Sequence, residues 1–222
     1  MVNENDGDRL LEAIAKTSDD SERGARANAL LRAMYRGYPV TNLRVLLQSE
    51  RPELVRIGTW VLSELGAAGT PLRDQLAVLL RHSDPYVRYF AIDSSLTCCT
   101  EQDGDEIAAC ISLVTDDHTG VRYEATDFLM RASVEQLHAA VAALTARGVV
   151  DATVSGLRWL TSEKAAQNDG IEQALRSESP VLRKFAVAAA VRRRQADPAT
   201  LRYAADSSDP EVAELARRAL GW

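Results

Sequence analysis

The sequence predicts an all-α protein, organised as an α-solenoid of about seven helical hairpins. Three observations carry that expectation. A short apolar residue followed by Arg recurs at a near-constant step. Turn chemistry precedes most copies. A second apolar pattern of helical period lies upstream of each turn, and no stretch alternates apolar and polar as a strand would.

The repeat runs Ala25-Arg26, Val55-Arg56, Val87-Arg88, Val121-Arg122, Val154-Ser155, Leu182-Arg183 and Val212-Ala213, with steps of about 28 to 34 residues. Three residues after the second position stands a small side chain, Ala29, Thr59, Ala91, Ala125, Ala186 or Ala216; the fifth copy has Arg158 there. The segments Arg51-Pro52, Ser83-Asp84-Pro85, Asp116-Asp117, Ser179-Pro180 and Ser208-Asp209-Pro210 mark the turns. Asp or Ser before Pro suits an N-cap followed by the first helical position, where a missing N–H costs nothing. The upstream patterns, Leu43/Leu46/Leu47, Leu72/Leu76/Leu79/Leu80, Ile107/Cys110/Ile111/Val114 and Leu137/Val141/Leu144, keep the i, i+3, i+4 spacing of an amphipathic helix. Neither helix of such a pair can bury its apolar face alone, so neighbouring pairs must stack. Leu10, Leu11 and Ile14 place a further helix near the beginning.

Composition agrees. The 222 residues are 46% hydrophobic and 26% charged, which excludes a disordered tail. No apolar run is long enough for a membrane span. Three cysteines, two of them adjacent at Cys98 and Cys99, make no disulfide framework; with a polar, acidic start they lead us to expect a cytoplasmic protein without a secretory leader. The net charge of −6 is concentrated in residues 101–150, where three basic side chains face nine acidic ones. Such a centre repels phosphate and suits a basic partner surface, although a plain solvated face would read the same way.

The segments Ser83-Asp-Pro-Tyr-Val-Arg-Tyr-Phe-Ala91 and Ser208-Asp-Pro-Glu-Val-Ala-Glu-Leu-Ala216 resemble the HEAT-repeat family, in which a D-x-x-V-R-x-x-A segment opens the second helix of each pair. The resemblance covers about residues 20–222 and departs from the pattern at Ser155 and Ala213. It implies a right-handed solenoid as a single domain over 1–222, capped by a helix in 1–19 and by 206–222. It implies that second helices line the concave face, and that Asp84, Arg88, Asp117 and Arg122 form a structural ladder between units. The excess of Arg over Lys, 23 against 3, fits a bacterial member.

On the second helices, positions −1, +3 and +7 from the Arg are expected in the core. Positions +1, +5 and +8 share another stripe. That stripe carries Tyr89/Asp93/Leu96 and Tyr123/Asp127/Met130, and flanking copies add Glu64 and Glu163 at +8 with Trp60 and Trp159 at +4. Rigid aromatics beside carboxylates are good anchors for a basic protein, so these eight aromatic and acidic residues are the candidate partner-binding set. Their bland reading is inter-helix packing and hydration, and for the two Trp side chains core packing is the stronger expectation. The run Arg192-Arg193-Arg194 reads as a solvated helix end whose cations complement the dipole.

His82, His118 and His138 are isolated, and the cysteines lack metal spacing, so no metal and no cofactor is expected. No nucleophile elbow or phosphate loop occurs, so no catalytic residue is named. The expected function is a non-enzymatic protein-binding module, of the kind found among HEAT-like immunity or regulatory proteins; nucleic acid is not the expected partner. The alternative is a HEAT-like alkylpurine DNA glycosylase, with Trp60, Trp159, Asp93, Asp127 and Arg158 cast as groove residues. A HEAT-like bilin lyase is a weaker possibility, and HEAT-like iron hydroxylases need paired His-Glu motifs that are lacking.

Overall fold

A computed structural model describes residues 4–222. Met1, Val2 and Asn3, part of the expected N-terminal cap, lie outside the described residues. The described chain is 77% helical and contains no strand. It divides into two compact units, Met1–Cys98 and Cys99–Trp222.

The first unit contains α1 (Glu4–Lys16), α2 (Asp20–Tyr35), α3 (Arg44–Leu47), α4 (Pro52–Leu65), α5 (Leu76–Leu79) and α6 (Pro85–Cys98). Helices pair as the repeat predicts, α1 with α2, α3 with α4 and α5 with α6, and α4 then packs on both α2 and α6. The apolar rows are in the core: Leu11, Ile14, Leu43, Leu46, Leu72, Leu76, Val55, Val87 and Ala91 are all buried. The upstream helices are shorter than their periodicity suggests. Residues Val40–Leu43 and Gly66–Gln75 are 3-10 helix, leaving one α-turn each in α3 and α5. Pro71 lies inside the second of these and cannot donate to an α-helical ladder. The row of leucines is buried all the same.

The second unit contains α7 (Gly104–Ser112), α8 (Thr119–Arg131), α9 (Val134–Ala146), α10 (Ala152–Leu160), α11 (Asn168–Leu175), α12 (Pro180–Arg192), α13 (Pro198–Ala205) and α14 (Pro210–Leu220). Caps are well made. Asp151, Ser179 and Asp209 accept hydrogen bonds from the first turns of α10, α12 and α14, and Ser133 with Gln136 forms a capping box on α9. Consecutive helices again pair, but the pairs are not arranged simply in chain order. α7 lies on α9, while α8 and α10 both pack on α12, which also meets α11, α13 and α14.

The cause is the composition of α12. Residues Lys184–Ala190 are all buried, Phe185 completely. A helix buried on every side needs partners on every side. Gly156 admits the contact with α10: a Cβ there would come within 2.4 Å of the Phe185 ring. Gly104 likewise lets α7 approach the backbone of α9 at Ala139, where a Cβ would meet the carbonyl oxygen at 2.7 Å.

Candidate functional site

The repeated arginines are tied into turns. Arg88 donates to the carbonyls of His82 and Ser83, Arg122 to those of Asp116 and Asp117, and Arg183 to those of Ser177 and Glu178. Each thus closes the turn that starts its own helix. Carboxylates complete the pattern. Arg56 Nε donates to Asp84 Oδ2 at 2.6 Å, and Arg183 Nε and Nη2 to Asp209 Oδ2 at 2.9 and 2.6 Å. Arg122 reaches much farther along the chain, to Glu211 on α14, which also pairs with Lys184 at 2.8 Å. Asp84 therefore serves Arg56, whereas Asp117 is exposed and contributes its carbonyl.

The candidate binding residues divide between the units. In the first, Trp60 and Glu64 share one face of α4; Trp60 is half-buried, Glu64 exposed. Tyr89 and Asp93 share a face of α6 and are both half-buried, with the Tyr89 ring edge-on to Phe90 at 5.4 Å. Burial, with a smaller contribution from the Asp93 charge, pushes the Cys98 thiol up. In the second unit Tyr123 and Asp127 share a face of α8, and both have internal partners. The Arg218 guanidinium lies 4.8 Å over the Tyr123 ring, and Arg131 donates to Asp127 at 2.9 Å. Burial and the Glu211 and Glu214 charges push the Tyr123 hydroxyl up. Trp159 is half-buried. Glu163 is exposed but lies beyond the end of α10, in the 3-10 turn Glu163–Ala166, so it is not on the helical stripe the spacing suggested. Arg158 is exposed and donates to Thr145.

An open concavity of about 1030 Å³ in the second unit lies between the α11–α12 and α13–α14 turns. Its basic side chains are all engaged: Arg183 pairs with Asp209, Lys184 with Glu211, and Arg176 pairs with Glu172 and donates to the Tyr203 hydroxyl. That groove is a seam between hairpins.

A shallow depression of about 340 Å³ lies at the start of α7, bordered by Glu101, Gln102, Asp105 and Glu106 and floored by Gly104, Ala139, Ala142 and Ala143. Asp105 pairs with Arg147 at 2.7 Å; Glu101 and Glu106 have no ion pair. Here the acidic excess of residues 101–150 faces solvent. Sequence spacing did not single out this group, because its carboxylates lie just before and in the first turn of a first helix, and the stripe argument followed second helices only.

A further cavity, about 230 Å³, is lined by Val134, Leu137, His138, Leu160, Thr161, Ser162, Ala165, Ala166, Ala189, Arg192 and Arg193. It corrects the reading of the arginine run. Arg194 is exposed, but Arg192 and Arg193 are half-buried. Arg192 Nη1 donates to the carbonyls of Leu129 and Ala132 at the end of α8.

Among the described residues no group of His, Cys, Asp and Glu could hold a metal ion, and no helix is long and apolar enough to cross a membrane. No protein-family model and no curated protein matches the chain. Similar solved structures exist. The crystal structure of one engineered protein aligns over 97% of this chain and 95% of its own, with a TM-score of 0.52 at 16% identity. A second engineered protein aligns over 82% of this chain and 97% of its own, with a TM-score of 0.40 at 17% identity. The first likeness concerns the fold alone.

Proposed function

We propose that the protein is a non-enzymatic binding module of HEAT-like hairpins, whose acidic surface at residues 101–106 receives a basic segment of a partner protein. The observation that supports this most is the depression at the start of α7. Unpaired Glu101 and Glu106 stand beside a floor of alanines. A Lys or Arg side chain suits that combination: its aliphatic stem lies on the alanine methyls while its charged head meets carboxylates at the rim. The excess negative charge around it would steer a cationic partner in. The turn-closing arginines support the HEAT-like reading of the hairpins. Tyr89 with Asp93 on α6 is a separate candidate contact, and an immunity or regulatory role is the biological setting we propose.

The test is a titration of the full chain with an oligolysine peptide, followed by amide chemical shifts. Shifts confined to residues 101–106 and 139–143, weakened by added salt and abolished by Glu101→Lys/Glu106→Lys, are expected. Asp93→Arg/Asp127→Arg reports on the helical stripe in the same assay. No binding of the peptide, together with firm low-salt retention on heparin, would reverse the proposal.

A further inference from the structure

We infer that the cavity between α9, α10 and α12 is a binding site for a carboxylate carrying a short aliphatic group. This site is distinct from the acidic depression and takes a ligand of opposite charge.

The argument begins with unspent hydrogen-bond donors. Among the described residues Arg192 commits only Nη1, to two carbonyls at the end of α8; its Nε and Nη2 have no acceptor there, and no carboxylate there pairs with it. Those two nitrogens form the edge of the guanidinium that grips a carboxylate in bidentate fashion. Arg193 uses Nη1 on the Ala166 carbonyl and Nη2 on Asn168, while its Nε is buried without a partner. That N–H is closed off from solvent, so Arg193 brings its positive charge to the cavity rather than a further donor. Two guanidiniums thus line one small cavity, both half-buried, with no acid to neutralise them. Burial alone holds Arg192 below the ordinary arginine range, which is the signature of a cation lacking its counter-charge.

The opposite wall sets the rest of the ligand. Leu137, Leu160, Ala165 and Ala189 are buried apolar side chains, and Val134 is exposed at the rim. About 230 Å³ admits a few methylenes and little more. The Thr161 and Ser162 hydroxyls already donate to carbonyls of α10, at Leu157 and Trp159, so they offer only acceptor lone pairs and confer no further anion affinity. A free short-chain acid and the C-terminal carboxylate of a chain ending in an aliphatic residue share this chemistry.

The experiment titrates the full protein with hexanoate, with hexanamide, and with an acetylated tripeptide ending in leucine as its acid or its amide, followed by amide shifts and thermal midpoint. Binding of at least one acid, with its amide at least about tenfold weaker, is expected. A tighter peptide acid assigns the site to a chain terminus, and a tighter hexanoate to a small metabolite. Arg192→Lys, which keeps the charge but removes the fork, is expected to weaken the acid about tenfold. Because Arg192 also caps α8, Ala165→Leu is the companion variant: it fills the cavity with both arginines retained and is expected to abolish binding while the circular dichroism spectrum is kept. Equal binding of acid and amide, undiminished binding to the Ala165→Leu protein, or no binding of either acid at about 10 mM, where even a weak contact registers, would overturn the inference.

Discussion

The two units use one hairpin motif and bury it differently. In the first, each second helix packs on the second helix of the preceding hairpin, and the Arg56–Asp84 pair joins residues only 28 apart in sequence. In the second, α8 and α10 converge on α12, and Arg122 finds its carboxylate 89 residues away on α14. The repeat therefore specifies the hairpin, and the apolarity of individual helices decides which hairpins become neighbours. Where every second helix keeps a polar face, stacking follows chain order. Where one helix is buried all round, it becomes a hub.

The hub can be broken most directly at Phe185. The side chain is fully buried between α10 and α12, so Phe185→Ala removes a large apolar group and leaves a cavity. A loss of about 4 kcal/mol is expected. Hydrogen exchange read separately over residues 4–98 and 99–222 should show protection lost in α8, α10 and α12 and little change in α4 and α6. Equal loss in both units would mean that they unfold as one, and the contrast drawn above would fail.

Next in size is Glu211. It pairs with Arg122 and with Lys184, whose only other polar partner among the described residues is the Val114 carbonyl and which is just 7% exposed. Glu211→Ala strands a buried ammonium, at a cost of about 3 kcal/mol. The pH dependence follows from the same geometry. Burial works to raise the Glu211 carboxyl, but hydrogen bonds and charges of Arg122 and Lys184 outweigh it and hold the group below the ordinary range. A depressed carboxyl contributes stability at and above the usual Glu value of about 4.3 and loses it as pH falls through the lower, folded-state value. Chemical unfolding followed at Trp159 should accordingly show the second unit weakening below about pH 4, with the Glu211→Gln protein already weak and less steep across that range.

The hairpins were legible in the sequence because the 3.6-residue period, the small residue three after each Arg and the Asp-Pro or Ser-Pro caps all act within one pair. Stacking order was not, since nothing around Arg122 names Glu211. Two local departures did foreshadow it: Ser155 replaces the turn-closing Arg in the fifth copy, and Phe185–Ala190 lacks any polar side chain. The site residues show the same divide. Tyr123 and Asp127 do share a face of α8, as spacing required, but Arg218 covers the ring from α14, a contact no local pattern announces. The burial of Arg192 depends on carbonyls at Leu129 and Ala132, 63 and 60 residues away, so an arginine run read alone looks solvated. Glu163 was placed by counting past a helix that had already ended at Leu160.

The corresponding ion pair of the first unit sharpens the comparison. Asp84 is 8% exposed and receives the Tyr86 N–H as well as Arg56, but Arg56 is exposed on its other side and stacks 4.9 Å over the Tyr86 ring. Asp84→Ala removes a cap and one partner of a cation that water can then solvate. About 1 to 2 kcal/mol is expected, smaller than at Glu211 because no charge is left buried. Urea midpoints of the two variants, compared in the same buffer, measure the difference.

The smallest effect is expected at Arg44 and Asp74, which pair at 2.6 Å between α3 and the 3-10 segment of the next hairpin. Arg44 draws the Asp74 carboxyl below its ordinary range, and Asp74 in turn raises Arg44. The pair resembles the interhairpin bridges discussed above in geometry but not in surroundings, since the Asp74 side chain is 56% exposed. Water screens both charges, so Asp74→Asn should cost at most about 0.5 kcal/mol, and that cost should vanish in about 1 M salt. The Glu211→Gln penalty should largely survive the same salt, because ions cannot enter around Lys184. If both penalties fell together, the buried triad of the second unit would be solvated in solution, and α12 would not be the closed hub that its side chains describe.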